Sequence, residues 1–400
     1  MKIAYITSQF PVPSETFTSG DILELQKKGH TVFAFGFRPD HPKMKEMILQ
    51  RGLQSVYIEN CSWFGQFHGF FRMLISPGLS IPLFFWLLKK EFTQPKFLFR
   101  SLLLVPAFFN ILSGVKRIKP DLIHLFWGHY PSIIGFLIKR SMPNIPLSMF
   151  LGAHDLAAKM NISSDIGKKA DFLFTHARAN IPLLEEMGIP GSSVTVAHRG
   201  IDTEDLDNLL SKQTDKSDSK LILSVGRLQS YKGFDDTLNV FAILLKKYKD
   251  LKLGILGDGP EKDNLIRLAE ELKIRDSVHF YGHLPHNDVI RLMEESRIFL
   301  FMSRHNGERL PNVVKEAMFC KCICISSDTV GIEELIDHGE NGFIVPKKDI
   351  NAAAAFADSA FSNKFPDIPG AARDKIIKEF SRSKSIQCYL DKWFSRESSS

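Results

Sequence analysis

"KLILSVGRLQSYKGFDDTLNVFAILLKKYKDLKLGILGDG", residues 220–259, decides the fold. A short apolar run, 221–225, ends at Gly226 and reads as a buried strand. From Phe234 to Tyr248 apolar residues recur at helical spacing, and a second apolar run ends in the turn "GDG". Strand, helix and strand in sequence, with no tight hairpin turn between them, mark a parallel crossover.

The same alternation continues in both directions. Downstream, "EKDNLIRLAEELKI" and "HNDVIRLMEES" read as helices, with "SVHFYGHL" and "RIFLFMS" as strands. Upstream, "KIAYIT", "TVFAFGF", "DLIHLFW", "PLSMFLGA", "DFLFTHA" and "SVTVAHRG" read as strands, with "DILELQKKGH" and "SIIGFLIKRS" as helices. Four hundred residues exceed one ordinary core. The expectation is an α/β chain of two doubly wound parallel sheets, binding ligands beyond the carboxyl ends of the strands. The expected domains are 1–205 and 206–380, followed by a C-terminal helix within 381–400. The run "SKQTDKSDSK", 211–220, has no apolar residue and reads as a linker. The last residues, "SRESSS", read as a frayed end.

Composition narrows the class. Hydrophobic content of 44% and charged content of 24% fit a globular protein. The net charge of +6 is uneven: residues 1–200 hold 22 Lys and Arg against 13 Asp and Glu, and the remainder hold 29 against 32. A basic half suits anionic lipid, nucleic acid or phosphorylated substrates, and equally a solvated surface. Five cysteines, three of them in "CKCICIS", do not form a disulfide framework and suit a reducing compartment. Cys320, Cys322 and Cys324 alternate, so in a strand they would share one face as buried thiols. The N-terminus reads as a strand rather than a signal peptide. Residues 97–115 are apolar, but Arg100, Pro106 and Asn110 interrupt them, which argues against a spanning helix.

Residues 61–119 break the alternation. Eleven of the 33 phenylalanines fall in 61–115 with Trp63 and Trp86, interleaved with Lys89, Lys90, Lys96 and Arg100. That composition fits amphipathic helices on an anionic membrane surface. It also fits helices packed on the first sheet. Because the basic residues are interleaved with aromatics rather than set on stacking platforms, nucleic acid is not an expected partner.

The chemistry concentrates in the second half. Arg227 and Lys232 follow the strand of the opening stretch, before a helix N-terminus, where two cations and a helix dipole make an anion site suited to a diphosphate. Solvated loop cations would look the same. In "GERLPNVVKEAM", 307–318, Pro311 suits a first helical turn, which leaves the N–H groups of Asn312 and Val313 free for a second anion contact. Glu308 precedes this helix, where a carboxylate can reach sugar hydroxyls. Glu316 lies more than a turn inside it, where it can accept two ribose hydroxyls. Both acids would also be favoured at a helix N-terminal half without any ligand. "YGHLPHND" places a turn with Gly282 and His283 after a strand. No G-x-G-x-x-G follows the first strand and no G-x-x-x-x-G-K-[ST] occurs, which argues against a nicotinamide cofactor and a P-loop nucleotide hydrolase.

In this order, "SVGRL", "YKG", "LGDGPE", "YGHLPH", "GERLPNVVKEAM" and "GIEELIDHGENGFIVP" resemble the nucleotide-sugar-binding half of the retaining glycosyltransferases of family 4, of GT-B fold, over about residues 220–346. "SETF", "KKGHTV" and "FLGAHDL" resemble the branch that builds bacterial exopolysaccharide and colanic-acid-type repeat units. The resemblance implies two Rossmann-like domains facing a central cleft, the first binding acceptor and the second donor, with the C-terminal helix crossing back. It implies that Arg227 and Lys232 neutralise the donor diphosphate in place of a metal, helped by the Asn312 and Val313 amides. Gly282 and His283 would line the donor site, Glu316 would hold the ribose and Glu308 the donor sugar. His154, in "FLGAHDL", would reach across to that sugar; a core or capping histidine is the alternative. The chain departs from the family pattern at Arg309, where glycine is frequent, and at Phe319, Lys321 and Ile323, where small residues are frequent. "FPVPSETF" replaces the glycine-rich loop after the first strand.

The expected activity is transfer of a hexose from a nucleoside-diphosphate sugar, with retention and with neither metal nor cofactor. The expected acceptor is a lipid-linked saccharide at the cytoplasmic face of an anionic membrane. A nucleotide-sugar epimerase, which needs no acceptor, and a non-catalytic sugar-nucleotide-binding partner of a transferase complex are the alternatives.

Overall fold

The computed structural model describes residues 1–13, 15–210 and 216–395, apart from the side chain of His154. The polar run read as a linker and the C-terminal serine-rich end therefore fall partly outside the described residues. The chain divides into two units, Met1–His198 with the residues from Ile386 onward, and Arg199–Ser385.

The first unit holds a seven-stranded sheet of β1 (Lys2–Thr7), β2 (Thr31–Gly36), β3 (Tyr57–Asn60), β4 (Leu122–Phe126), β5 (Leu147–Phe150), β6 (Phe172–Thr175) and β7 (Val194–Val196). Its order is β3-β2-β1-β4-β5-β6-β7, every pair parallel. Strand side chains alternate between faces, and both sets are buried. Ala4, Ile6, Ile123 and Leu125 belong to one core; Ile3, Tyr5, Leu122 and Phe126 belong to another. A sheet covered on both faces explains why its strands read as continuous apolar runs.

The final helix, Arg382–Phe394, contributes Ile386, Tyr389, Leu390 and Trp393 to the second of those cores. There the Trp393 indole donates to Ser148 Oγ at 3.0 Å, and His124 Nδ1 lies 2.9 Å from the same hydroxyl. Burial holds the His124 imidazole down to about 3, so it is neutral and serves packing.

The second unit repeats the plan with β8 (Leu221–Val225), β9 (Lys252–Leu256), β10 (Val278–Gly282), β11 (Ile298–Phe301), β12 (Ile323–Ser327) and β13 (Phe343–Val345), in the order β10-β9-β8-β11-β12-β13, all parallel. Ile222, Ile255, Leu300 and Ile325 share a core with helices Phe234–Lys247 and Ile350–Phe361. The alternate residues Leu223, Phe299 and Cys324 are buried too, so this sheet is also covered on both faces. Both doubly wound sheets expected from the sequence are present.

Two readings of local structure need correction. Only Cys324 of the alternating cysteines lies in a strand. Cys320 caps the helix Asn312–Phe319, and Lys321 turns the chain at a left-handed φ of 61° before β12 begins. All three thiols are nevertheless free and buried, and burial raises their pKa values. Within 61–115, the aromatics do not form one class. Trp86 is buried, stacked on Phe136 at 4.7 Å and bonded to Asp165, and Phe108 and Phe109 are also core. Helix Pro95–Ile118 is long and apolar enough to cross a membrane, but its second half, from Val105 to Val115, packs in the first unit's core.

Candidate functional site

In the second sheet the strand order reverses direction between β8 and β11. Loops leaving the carboxyl ends of two such neighbours run to opposite sides and open a crevice. The loop after β8 carries Arg227 and Lys232; the loop after β11 carries Glu308. The topology therefore places three of the expected donor residues at the switch point.

The loop after β8 is held tightly. Gly233, at φ 69°, starts the helix Phe234–Lys247, and a Cβ there would lie 1.8 Å from the Met302 carbonyl oxygen. Only glycine lets the two loops approach this closely. Arg304 ties them together: it pairs with Asp235 at 2.6 Å, donates to the Ser230 carbonyl at 2.6 Å, and its own N–H bonds the Tyr231 carbonyl. The rings of Tyr231 and His305 lie 4.7 Å apart.

This bracing delivers Lys232 to Glu308. The ammonium donates to both carboxylate oxygens, at 2.8 and 2.7 Å, and Ser303 Oγ donates to one of them at 2.9 Å. Each side chain of the pair is 15% exposed, so the pair is largely but not fully withdrawn from water. Arg227 is exposed at the start of the same loop and is not drawn into this cluster.

The helix Asn312–Phe319 follows, with Pro311 just before it rather than inside its first turn. The Pro311 carbonyl accepts from Val314 and Lys315. The Asn312 and Val313 N–H groups precede the first residue that an intrahelical bond can serve. Glu316, one turn on, is 14% exposed on its side chain and accepts from His286 Nε2 at 3.1 Å. That hydrogen bond raises the His286 pKa above its ordinary value, against the opposing effect of burial.

His286 is a residue the sequence reading missed. Gly282 and His283 were singled out because they follow the strand; Gly282 does end β10, with its carbonyl accepting the Gly257 N–H at 2.7 Å, while His283 is exposed. It is His286, the first residue of helix His286–Glu295, that reaches Glu316. The apolar periodicity of that helix gave its phase, but pairing across 30 residues is a tertiary fact. Ser303 was missed for the same reason.

The two marked departures also find places. The Arg309 guanidinium donates to the Asn306 carbonyl at 2.5 Å and to the Glu308 carbonyl at 3.1 Å, so it braces the loop that carries Glu308. Lys321 precedes the amino-terminal end of β12, beside Arg297 before β11, so it lies at the opposite end of the strands from Glu308.

In the first unit the switch point lies between β1 and β4. His154 is in helix Ala153–Ala158, which follows β5; its side chain lies outside the described residues. Its neighbour Asp155 is buried and structural. It accepts the N–H groups of Gly128, His129 and Gly152 at 2.7, 3.2 and 2.8 Å, and pairs with the His129 imidazole. Burial lowers the His129 pKa, but the hydrogen bond and charge of Asp155 outweigh it and the net shift is upward.

Comparison with known proteins gives four findings. Residues 207–380 match the family model described as glycosyl transferases group 1. The chain is 30% identical over 296 residues to an uncharacterized glycosyltransferase of Haemophilus influenzae, covering 73% of this chain and 74% of that one. It is 26% identical over 402 residues to the amylovoran biosynthesis glycosyltransferase AmsK of Erwinia amylovora, covering 96% of each. Among solved structures, Anabaena Alr3699/HepE in complex with UDP superimposes with a TM-score of 0.71 at 17% identity, covering 99% of this chain and all of that one, which shows a shared fold.

Proposed function

Because the chain belongs to the glycosyl transferases of group 1, we propose that it transfers a hexose from UDP-sugar, with retention, to a lipid-linked saccharide in the making of a bacterial cell-surface polysaccharide. The observation that carries the donor assignment is the Lys232–Glu308–Ser303 cluster at the switch point, one loop away from the helix N-terminus at Asn312. A diphosphate needs positive charge and a sugar needs an acceptor carboxylate beside it; Lys232 is a cation and Glu308 a carboxylate at this point, and the exposed Arg227 begins the same loop. UDP is favoured over GDP by the UDP-bound structural relative, and the polysaccharide by the amylovoran enzyme.

In this reading Lys232 and Arg227 meet the donor phosphates with the Asn312 and Val313 N–H groups. Glu316 accepts from the ribose and Glu308 from the donor sugar. The sugar C1–phosphate bond breaks while the acceptor oxygen forms a bond to C1 on the same face. The acceptor proton passes to a departing phosphate oxygen, so no separate base is required. Charge grows on the leaving diphosphate, where preplaced cations and N–H dipoles stabilise it most at the transition state. Those cations perform the neutralisation that a metal would otherwise perform. The work takes place at the cytoplasmic face of the membrane, where the lipid-linked acceptor lies.

Calorimetry with UDP and GDP tests the donor site. UDP binds, and Lys232→Ala and Glu316→Ala each weaken it by about 10–100-fold, the worth of one charge-assisted hydrogen bond. Binding of neither nucleotide, or equal binding by both variants and the parent chain, overturns the assignment.

A further inference from the structure

The first unit carries a surface that its own packing does not explain. Nineteen large hydrophobic residues are exposed among the described residues, and 13 of them lie between Trp63 and Leu103. They are not scattered. On helix Trp63–Leu74 they are Trp63, Phe64, Phe67, Phe70, Phe71 and Leu74, at the three- and four-residue spacing of a single stripe.

This helix is turned inside out. Ser62 caps it, accepting from Gly65 N–H at 3.1 Å, and only Gly69 and Met73 are buried. At Gly69 a Cβ would lie 1.9 Å from the Pro106 carbonyl oxygen, so the helix rests its smallest side on helix Pro95–Ile118. Its aromatic side faces water, with Trp63 76% and Phe64 79% exposed. Two further stripes continue the surface: Ile81, Phe85 and Leu88 on helix Pro77–Glu91, and Phe99 and Leu103 on helix Pro95–Ile118. The first two helices meet at 101°, so neither continues the other through a bilayer.

Charge selects the occupant. Lys89, Lys96 and Arg100 are exposed among these stripes. The one acid in 61–120 is Glu91, which is fully buried, accepts the Ile162 N–H at 2.9 Å, and is pushed toward its neutral form by that burial. Every exposed charge within 61–120 is therefore positive. A second copy of the chain would bring the same cations face to face, whereas anionic headgroups neutralise them while the acyl region takes the aromatics.

We propose that helices Trp63–Leu74 and Pro77–Glu91, with the start of helix Pro95–Ile118, lie in the interface of an anionic bilayer and seat the protein there without spanning it. This deepens the reading of a lipid-linked acceptor and rests on it only for its purpose. The binding itself is independent of donor and acceptor, so the two can fail separately.

The test uses the full chain with no nucleotide present. It is sedimented with phosphatidylglycerol–phosphatidylcholine vesicles and with phosphatidylcholine alone, and its mass is measured without lipid. The expected result is binding to the anionic vesicles, a blue shift of tryptophan fluorescence that Trp63→Tyr diminishes, and at least a tenfold loss in F67S/F71S. K89E/K96E/R100E keeps the apolar stripe and loses the preference for anionic lipid. UDP binding by these variants stays at the parental value, which shows that they are folded. Failure of the parent chain to bind anionic vesicles, or unchanged binding by F67S/F71S, overturns the proposal. So does a lipid-free dimer that F67S/F71S dissociates, since a second copy then covers the face.

Discussion

Lys315 is the residue whose environment is least visible in the sequence. It lies beside Glu316 in the same helix, yet points the other way. It is fully buried, donating to the Arg199 carbonyl at 2.7 Å and to Asn312 Oδ1 at 3.2 Å. Burial, with a smaller contribution from the Arg199 charge, brings its pKa from 10.5 down to about 7. The folded chain thus sheds this proton before the unfolded chain does. From about pH 7 to about pH 10 the unfolded state binds more protons, and this group makes stability rise with pH. Lys315→Met removes that rise together with the hydrogen bond to the Arg199 carbonyl, at a cost of about 1 kcal/mol near neutrality. Melting temperatures of both chains across that range check it: their pH slopes should diverge, and parallel slopes would show that Lys315 does not titrate there. The Lys232–Glu308 pair is the opposite case. Both residues were legible as donor candidates from their motifs, because each sits beside a glycine or proline that fixes the local turn. Their pairing across 76 residues was not legible, since nothing in either motif specifies the distance between two loops.

At the scale of elements, the parallel strands were readable because burial on both faces makes them continuous apolar runs. The short edge strands β3 and β13 were not singled out; "YIEN" and "FIV" are too brief to show a period. The helices of 61–119 were the reverse problem. Their aromatic content was plain, but spacing alone does not say whether a stripe meets a core or water. Gly69 decides it, because the close approach of helix Trp63–Leu74 to helix Pro95–Ile118 is possible only on that side. Gly69→Ala puts a methyl group against a backbone carbonyl that cannot move alone, and should cost about 1–3 kcal/mol in urea unfolding. An unchanged midpoint would mean that the helix is not docked through this glycine.

For the whole molecule, the described residues of the first unit form a core on each face of its sheet, and those of the second unit form a core of their own. A ligand of the second unit should therefore stabilise that unit alone. UDP at about 100 times its dissociation constant adds about 2.7 kcal/mol, which raises one calorimetric transition by about 5–10 °C and leaves the other in place. A single transition moving as a whole would show that the cores unfold together. The amino-acid sequence by itself determined the two doubly wound sheets and the motifs that hold the donor candidates. Those depend on periodicity and on turn residues, which act over a few neighbours. Only the tertiary structure decided that Glu316 meets His286, that Arg309 braces its loop, that Lys321 lies at the far end of the strands, and that one aromatic helix faces outward. Apart from the local turn that Arg309 closes, each of those is a contact, a placement or a choice of face set by segments distant in the chain, and local spacing carries no term for it.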